Sequence, residues 1–179
     1  MKLYIVRHGQ TDNNINGIIQ GIIESDLNET GKKQAEEVYE KLKSVDIDLV
    51  ISSPLRRALE TAEIITKGKD IPLVIDKRII ERNAGDFEGK KDIGYDHKLV
   101  WDYKLNTDLN ANVEKVQDIF KRVKSFLEDI KIKYKDKTVL IVTHEATLRA
   151  LNYSIIGFNE DDDLSKLEIK NCALFQYKI

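Results

Sequence analysis

The chain has 179 residues, enough for one domain with a proper core and room for a small insertion. With 29 Lys+Arg against 31 Asp+Glu the net charge is −2, so no global field steers the chain toward nucleic acid or an anionic membrane; a bound anion must be caught by a local cluster. No apolar stretch approaches the roughly 20 residues of a membrane span, the N-terminal run lacks a long signal-peptide core, and the single cysteine, Cys172, fits a reducing compartment, so the expectation is a cytoplasmic protein with neither nucleic acid nor membrane as partner.

The chain opens on Leu3, Tyr4, Ile5 and Val6, β-branched and aromatic, too short for a helix and stopped by Gly9, which predicts a buried strand ending at Arg7-His8. In open α/β sheets ligands bind beyond the carboxyl ends of strands. An arginine there offers a fixed fork of donors for phosphate, and an imidazole offers a nucleophile or proton carrier near neutral pH. Alone, the tripeptide is equally a polar turn. Residues 13–26, with Gly17 and Gly21, read as a loop, in which Gln20-Gly21 either brings a backbone amide to a ligand or simply turns. From Thr30, read as an N-cap, Ala35, Val38 and Leu42 follow at helical spacing.

Residues 48–52 repeat the opening pattern, and Ser52-Ser53-Pro54 leads into a helix whose first turn carries Arg56 and Arg57. Cations are disfavoured at a helix N-terminus, so two of them there point to a bound anion, unless both face solvent. With only seven arginines in the chain, each one at a strand end is informative. Residues 72–76 form a third short strand. Glu81 follows two isoleucines, a setting that desolvates a carboxylate and raises its pKa toward general-acid use, or else it is a plain loop glutamate. The sequence predicts a polar excursion around residues 90–110, with His97 a surface histidine or else a substrate contact. A long amphipathic helix follows, marked by Val113, Val116, Phe120, Val123, Leu127 and Ile130, with Asn112 as N-cap. Residues 137–143 are the clearest strand; His144-Glu145 ends it and a helix begins. Two of only three histidines thus stand just beyond apolar strands, which is improbable unless those strands lie together. Residues 160–163 read as a solvated loop, and 172–179 as an edge strand.

These residues fall into four ordered blocks. They are Arg7-His8-Gly9-Gln10-Thr11 with Asn14, Gln20-Gly21, Gly31 and Gln34-Ala35; Ser52-Ser53-Pro54-Leu55 with Arg57-Ala58 and Thr61-Ala62; Glu81 with Gly85 and Phe87-Glu88-Gly89; and Thr143-His144 with Arg149-Ala150-Leu151. With them the chain resembles the histidine phosphatase superfamily, the phosphoglycerate mutase-like proteins. The resemblance implies an α/β fold, three-layer α/β/α with a mostly parallel central sheet, as one domain spanning 1–179 with a small cap-like excursion around 90–110. It also implies a phosphomonoesterase acting on a small phosphorylated metabolite, with an α-ribazole-phosphate or sugar-phosphate phosphatase as narrower forms.

By that resemblance His8 attacks the phosphoryl group and carries it as phosphohistidine, Arg7, Arg57 and His144 surround the equatorial oxygens, and Glu81 handles the leaving-group proton. Asn14, Gln20 and Gly21 line the same pocket, Arg56 lies outside it, Arg149 packs or forms a salt bridge, and neither metal nor cofactor is required. Two departures stand out. The family usually has glycine where Glu145 stands, and the expectation is that this carboxylate points away from the phosphate or meets a cationic part of the ligand. The Gly-Glu-Ser element often found before the long helix is replaced by Asn110-Ala111-Asn112. The alternatives are a cofactor-dependent phosphoglycerate mutase, disfavoured by the short interval from Glu81 to His144, and a weakly active protein that binds a phosphorylated ligand and acts by interaction.

Overall fold

The computed structural model of the chain describes residues 1–105 and 111–179. In order the elements are β1 (Lys2–Arg7), α1 (Asp12–Ile15), α2 (Glu29–Leu42), β2 (Leu49–Ser52), α3 (Arg56–Ile65), β3 (Leu73–Ile75), α4 (His97–Val100), α5 (Val116–Lys133), β4 (Thr138–Thr143), α6 (Glu145–Ile156) and β5 (Leu174–Lys178). Among the described residues the five strands form one sheet in the order β3-β2-β4-β1-β5. Its first four strands run parallel, and β5 closes the edge antiparallel to β1.

The apolar runs are continuous because both faces of the sheet are covered. Leu3, Ile5, Leu49, Ile51, Val139 and Ile141 pack on one face with the apolar stripes of α5 and α6. Tyr4, Val6, Val50, Leu140 and Val142 pack on the other with α2 and α3. Fully burying such a side chain contributes roughly 1.5–3 kcal/mol. A one-residue slip would exchange the two faces of every strand, so these side chains also fix the register.

Several local expectations change. Helix α2 is capped by the Asn28 side chain, which accepts from Gly31 N–H, and not by Thr30. Helix α5 starts at Val116 without a side-chain cap, while Asn112 stands earlier in a left-handed turn (φ 56°). The loop over 13–26 begins with the short α1, closed by a Thr11–Asn14 capping box. Strand β3 is an exposed edge strand. Of the excursion around 90–110, residues 106–110, Asn110 included, lie outside the described residues.

Candidate active site

Strands β1 and β4 are neighbours in parallel register, with Arg7 opposite Thr143, so the first residues beyond them, His8 and His144, emerge side by side. The His8 N–H donates to the Thr143 carbonyl at 2.9 Å, and the imidazole centroids lie 5.2 Å apart. On the far side of β4, Ser52 pairs with Val142, which brings Ser53 Oγ to 2.6 Å from His144 Nε2. Helix α3 starts three residues later and delivers Arg57. One sheet edge therefore collects the first, second and fourth sequence blocks.

His8 is buried, with Nδ1 2.7 Å from the Gly9 carbonyl. A carbonyl only accepts, so Nδ1 carries the proton and Nε2 keeps its lone pair. Burial, then the charges of Arg57 and Arg7, hold the His8 pKa well below 6.5, and the same causes act on His144. Both rings are neutral at neutral pH. Arg57 is 1% exposed, and its two terminal nitrogens donate to the carbonyls of Ile23 and Gly21 at 2.7 Å each. Burial brings its pKa down to about 10, which still leaves it charged. Arg56 instead lies exposed in an ion pair with Asp26. The Nε atoms of Arg7 and Arg57 and the Nδ1 of His144 are buried polar atoms with no partner among the described residues. Such clustered donors fit an anion.

Asn14 and Gln20 line the same cleft as His8, Arg7, Arg57 and Glu81. The Asn14 Oδ1 accepts from Thr11 N–H and from Asn171 Nδ2, and the Gln20 Oε1 accepts from the Ser25 hydroxyl, so each amide has its NH₂ group left as donor. Gly21 also borders the cleft, in a left-handed conformation (φ 50°) that fixes its carbonyl under Arg57. A Cβ at this position would fall 2.0 Å from Glu88 Oε1. That oxygen accepts from Ile22 N–H and Ala84 N–H, tying the Gln20–Ile23 turn to the loop after Glu81.

Glu81 sits at the N-terminus of α6: its carboxylate accepts from Thr147 N–H at 3.2 Å and Ala146 N–H at 3.3 Å, and from Arg82 N–H at 2.8 Å. Burial raises its pKa, more than these N–H groups and Arg57 lower it, and the nearby Glu145 adds to the rise. The loop is fixed by Thr143 Oγ1 on the Ile79 carbonyl and Thr147 Oγ1 on the Ile80 carbonyl. Glu114 and Arg122 are residues that sequence reasoning missed. Glu114 pairs with Arg122 at 2.7 Å and accepts from Asn83 N–H, and Arg122 donates to the Glu81 and Arg78 carbonyls. The one signal for Glu114 in the sequence is an acidic residue between Asn110-Ala111-Asn112 and the long helix.

Glu145 does not point away. It lines the cleft, with Oε2 2.8 Å from Arg7 NH1 and Oε1 3.3 Å from Arg149 NH2. Arg149 thus forms a salt bridge and also stacks on Trp101, which Arg82 covers as well, at 4.9 and 5.1 Å. His97 is half-exposed, pairs with Asp92 and borders the cleft. The cleft is small, about 240 Å³. Among the described residues, no group of three or more His, Cys, Asp or Glu is arranged to hold a metal ion.

The sequence profile of the histidine phosphatase superfamily (branch 1) matches residues 3–179. The chain belongs to that superfamily. Its enzyme class is accordingly phosphatase. The chain is 31% identical to phosphoserine phosphatase 1 of Hydrogenobacter thermophilus, over 100% of this chain and 85% of that protein. It is 32% identical to the 2,3-bisphosphoglycerate-dependent phosphoglycerate mutase of Thermoplasma acidophilum, over 97% and 86%. Among solved structures, the α-ribazole phosphatase of Shigella flexneri superposes with a TM-score of 0.86 at 26% identity, covering 100% of this chain and 91% of that one. The α/β fold with its mostly parallel sheet is that of the phosphoglycerate mutase-like proteins. No helix among the described residues is long and apolar enough to cross a membrane.

Proposed function

We propose that this phosphatase hydrolyses a small phosphomonoester through a phosphohistidine on His8. The observation that carries the reading is the His8 Nδ1 bond to the Gly9 carbonyl, which leaves a neutral imidazole with its Nε2 lone pair beside Arg7, Arg57 and His144. In the first step Nε2 forms a bond to phosphorus as the ester P–O bond breaks in line, and Glu81, whose pKa burial raises, gives a proton to the leaving oxygen. In the second, water attacks phosphorus, the N–P bond breaks, and the water proton passes to Glu81, restoring both groups.

Arg7, Arg57 and His144 offer donors to the three equatorial oxygens, where the transition-state charge is spread. A Ser53 hydroxyl that donates to His144 Nε2 puts the ring proton on Nδ1, the nitrogen free to face an oxygen. Asn14 and Gln20 add amide donors to the pocket wall. Positive charge comes from guanidinium groups throughout.

The test is turnover of a phosphomonoester panel by the wild type and His8→Ala, with acid-labile phosphoenzyme trapped by rapid quench. Turnover and trapped phosphoenzyme should both vanish in His8→Ala; undiminished turnover there rejects the mechanism. A wild type that turns over nothing favours a protein that only binds a phosphorylated ligand. The likeness to a mutase supports a second reading. Interconversion of 2- and 3-phosphoglycerate without phosphate release would decide for it.

A further inference from the structure

Glu145 adds a further carboxylate, besides Glu81, to a cleft otherwise suited to anions. It is the first residue of α6, next to Ala146, whose N–H holds the Glu81 carboxylate, so it stands on the side where the leaving group departs. Its two partners are Arg7 and Arg149. On the proposed reading of the site, Arg7 serves the phosphoryl oxygens. A guanidinium that engages a phosphate dianion is a poorer partner for Glu145, which is then left with Arg149 beside a doubly charged ester. An anionic leaving group would make this worse, and a neutral one would leave it uncorrected. A cation on the leaving group would correct it, because a partly buried carboxylate that loses one counter-charge binds another strongly.

We propose that Glu145 is a specificity-determining residue that selects phosphomonoesters whose leaving group bears a primary ammonium. This rests on the cleft being a phosphomonoester site. A plain structural role for Glu145, as a tether for Arg7, would act on the phosphate end and so affect all esters alike. The two roles therefore separate in the ratio between esters and not in activity itself.

The substrate pair that isolates the ammonium is O-phospho-L-serine against 3-phosphoglycerate, which differ by NH₃⁺ in place of OH on the same carbon. Wild-type kcat/KM should favour the ammonium member by about tenfold to a hundredfold, the range of one charge-assisted hydrogen bond. O-phosphoethanolamine should likewise exceed 2-hydroxyethyl phosphate. Glu145→Gln, isosteric and partly exposed, should bring both ratios close to one while p-nitrophenyl phosphate is still turned over. Wild-type ratios near one, or ratios that survive in Glu145→Gln, overturn the proposal. Equal loss on every ester in Glu145→Gln assigns the residue to tethering Arg7 and overturns it too. If the wild type hydrolyses no ester, including p-nitrophenyl phosphate, the reading of the site itself fails, an outcome distinct from the others.

Discussion

Replacing Gly21 with alanine probes how the phosphate end of the cleft is held open. The backbone there is left-handed (φ 50°), which costs a non-glycine residue about 1–2 kcal/mol. The new Cβ would stand 2.0 Å from Glu88 Oε1 and 2.5 Å from its Cδ, so the carboxylate must swing away. It then gives up the Ile22 and Ala84 N–H groups, hydrogen bonds to a charged acceptor worth roughly 1.5–3 kcal/mol each, less here because the Ile22 contact is exposed. The sum is about 3–5 kcal/mol. At roughly 2–4 °C per kcal/mol for a chain of this size, the melting temperature should fall by about 10 °C.

Gly17→Ala is the control: its φ of 61° carries the same backbone cost, but no atom lies within 4 Å of the added methyl. In Gly21→Ala/Glu88→Ala the clash is gone, so the double variant should lose only the 1–2 kcal/mol backbone cost beyond Glu88→Ala. Steady-state kinetics should show KM rising for every ester, since the Gly21 and Ile23 carbonyls that aim Arg57 move with the turn. Equal melting temperatures for Gly21→Ala and Gly17→Ala would refute the reasoning, as would full additivity in the double variant.

Two further substitutions test the other end of the site. Because burial raises the Glu81 pKa and lowers that of His8, kcat/KM should be high where His8 is neutral and Glu81 still protonated, and should fall as pH rises through the Glu81 pKa. Glu81→Gln should remove that alkaline decline and lower kcat/KM by about 10²–10⁴ for alkyl esters, much less for p-nitrophenyl phosphate, whose leaving group needs no proton; an unchanged pH profile would exclude Glu81 as the acid. Glu114→Gln should lower stability by about 1–3 kcal/mol, because Arg122 loses its carboxylate. It should also lower kcat more for alkyl than for aryl esters, since Asn83, Arg122 and with them the Glu81 backbone are released; an equal effect on both ester types would show that the pair supports the fold alone.

What the sequence made legible is what short-range pattern records. Buried parallel strands leave continuous apolar runs, and β1, β2 and β4 were all readable from them. Strand β3 is legible in its β-branched residues, but its exposure is not, because an edge position depends on sheet order. The cap of α2 is Asn28 and not Thr30, and because both are competent caps the local sequence does not choose between them. Asn28 also donates to the Gln10 carbonyl and side chain, and only the folded chain contains those contacts. Glu145 shows the same division. Its spacing to Arg149 is that of a helical i, i+4 pair and was open to reading, whereas its contact with Arg7 joins residues 138 positions apart.

The candidate site was legible for a different reason: the residues that would do chemistry here are costly to keep. Arg57 is almost wholly buried, held by two carbonyls in place of a carboxylate, and two imidazoles sit beside it with their pKa values depressed. Hydrophobic packing alone would not place a cation and two histidines at the ends of three adjacent strands, because each loses hydration there and gains little in return. Their buried, unpartnered nitrogens make sense if a phosphoryl group supplies the missing acceptors. Binding such an anion to the folded chain alone should therefore stabilise it, by about 2.7 kcal/mol at a hundredfold excess over Kd. Orthovanadate, which mimics the phosphoryl group in flight, should raise the melting temperature accordingly and do so less in Arg57→Met; an equal rise in both would remove Arg57 from the anion site.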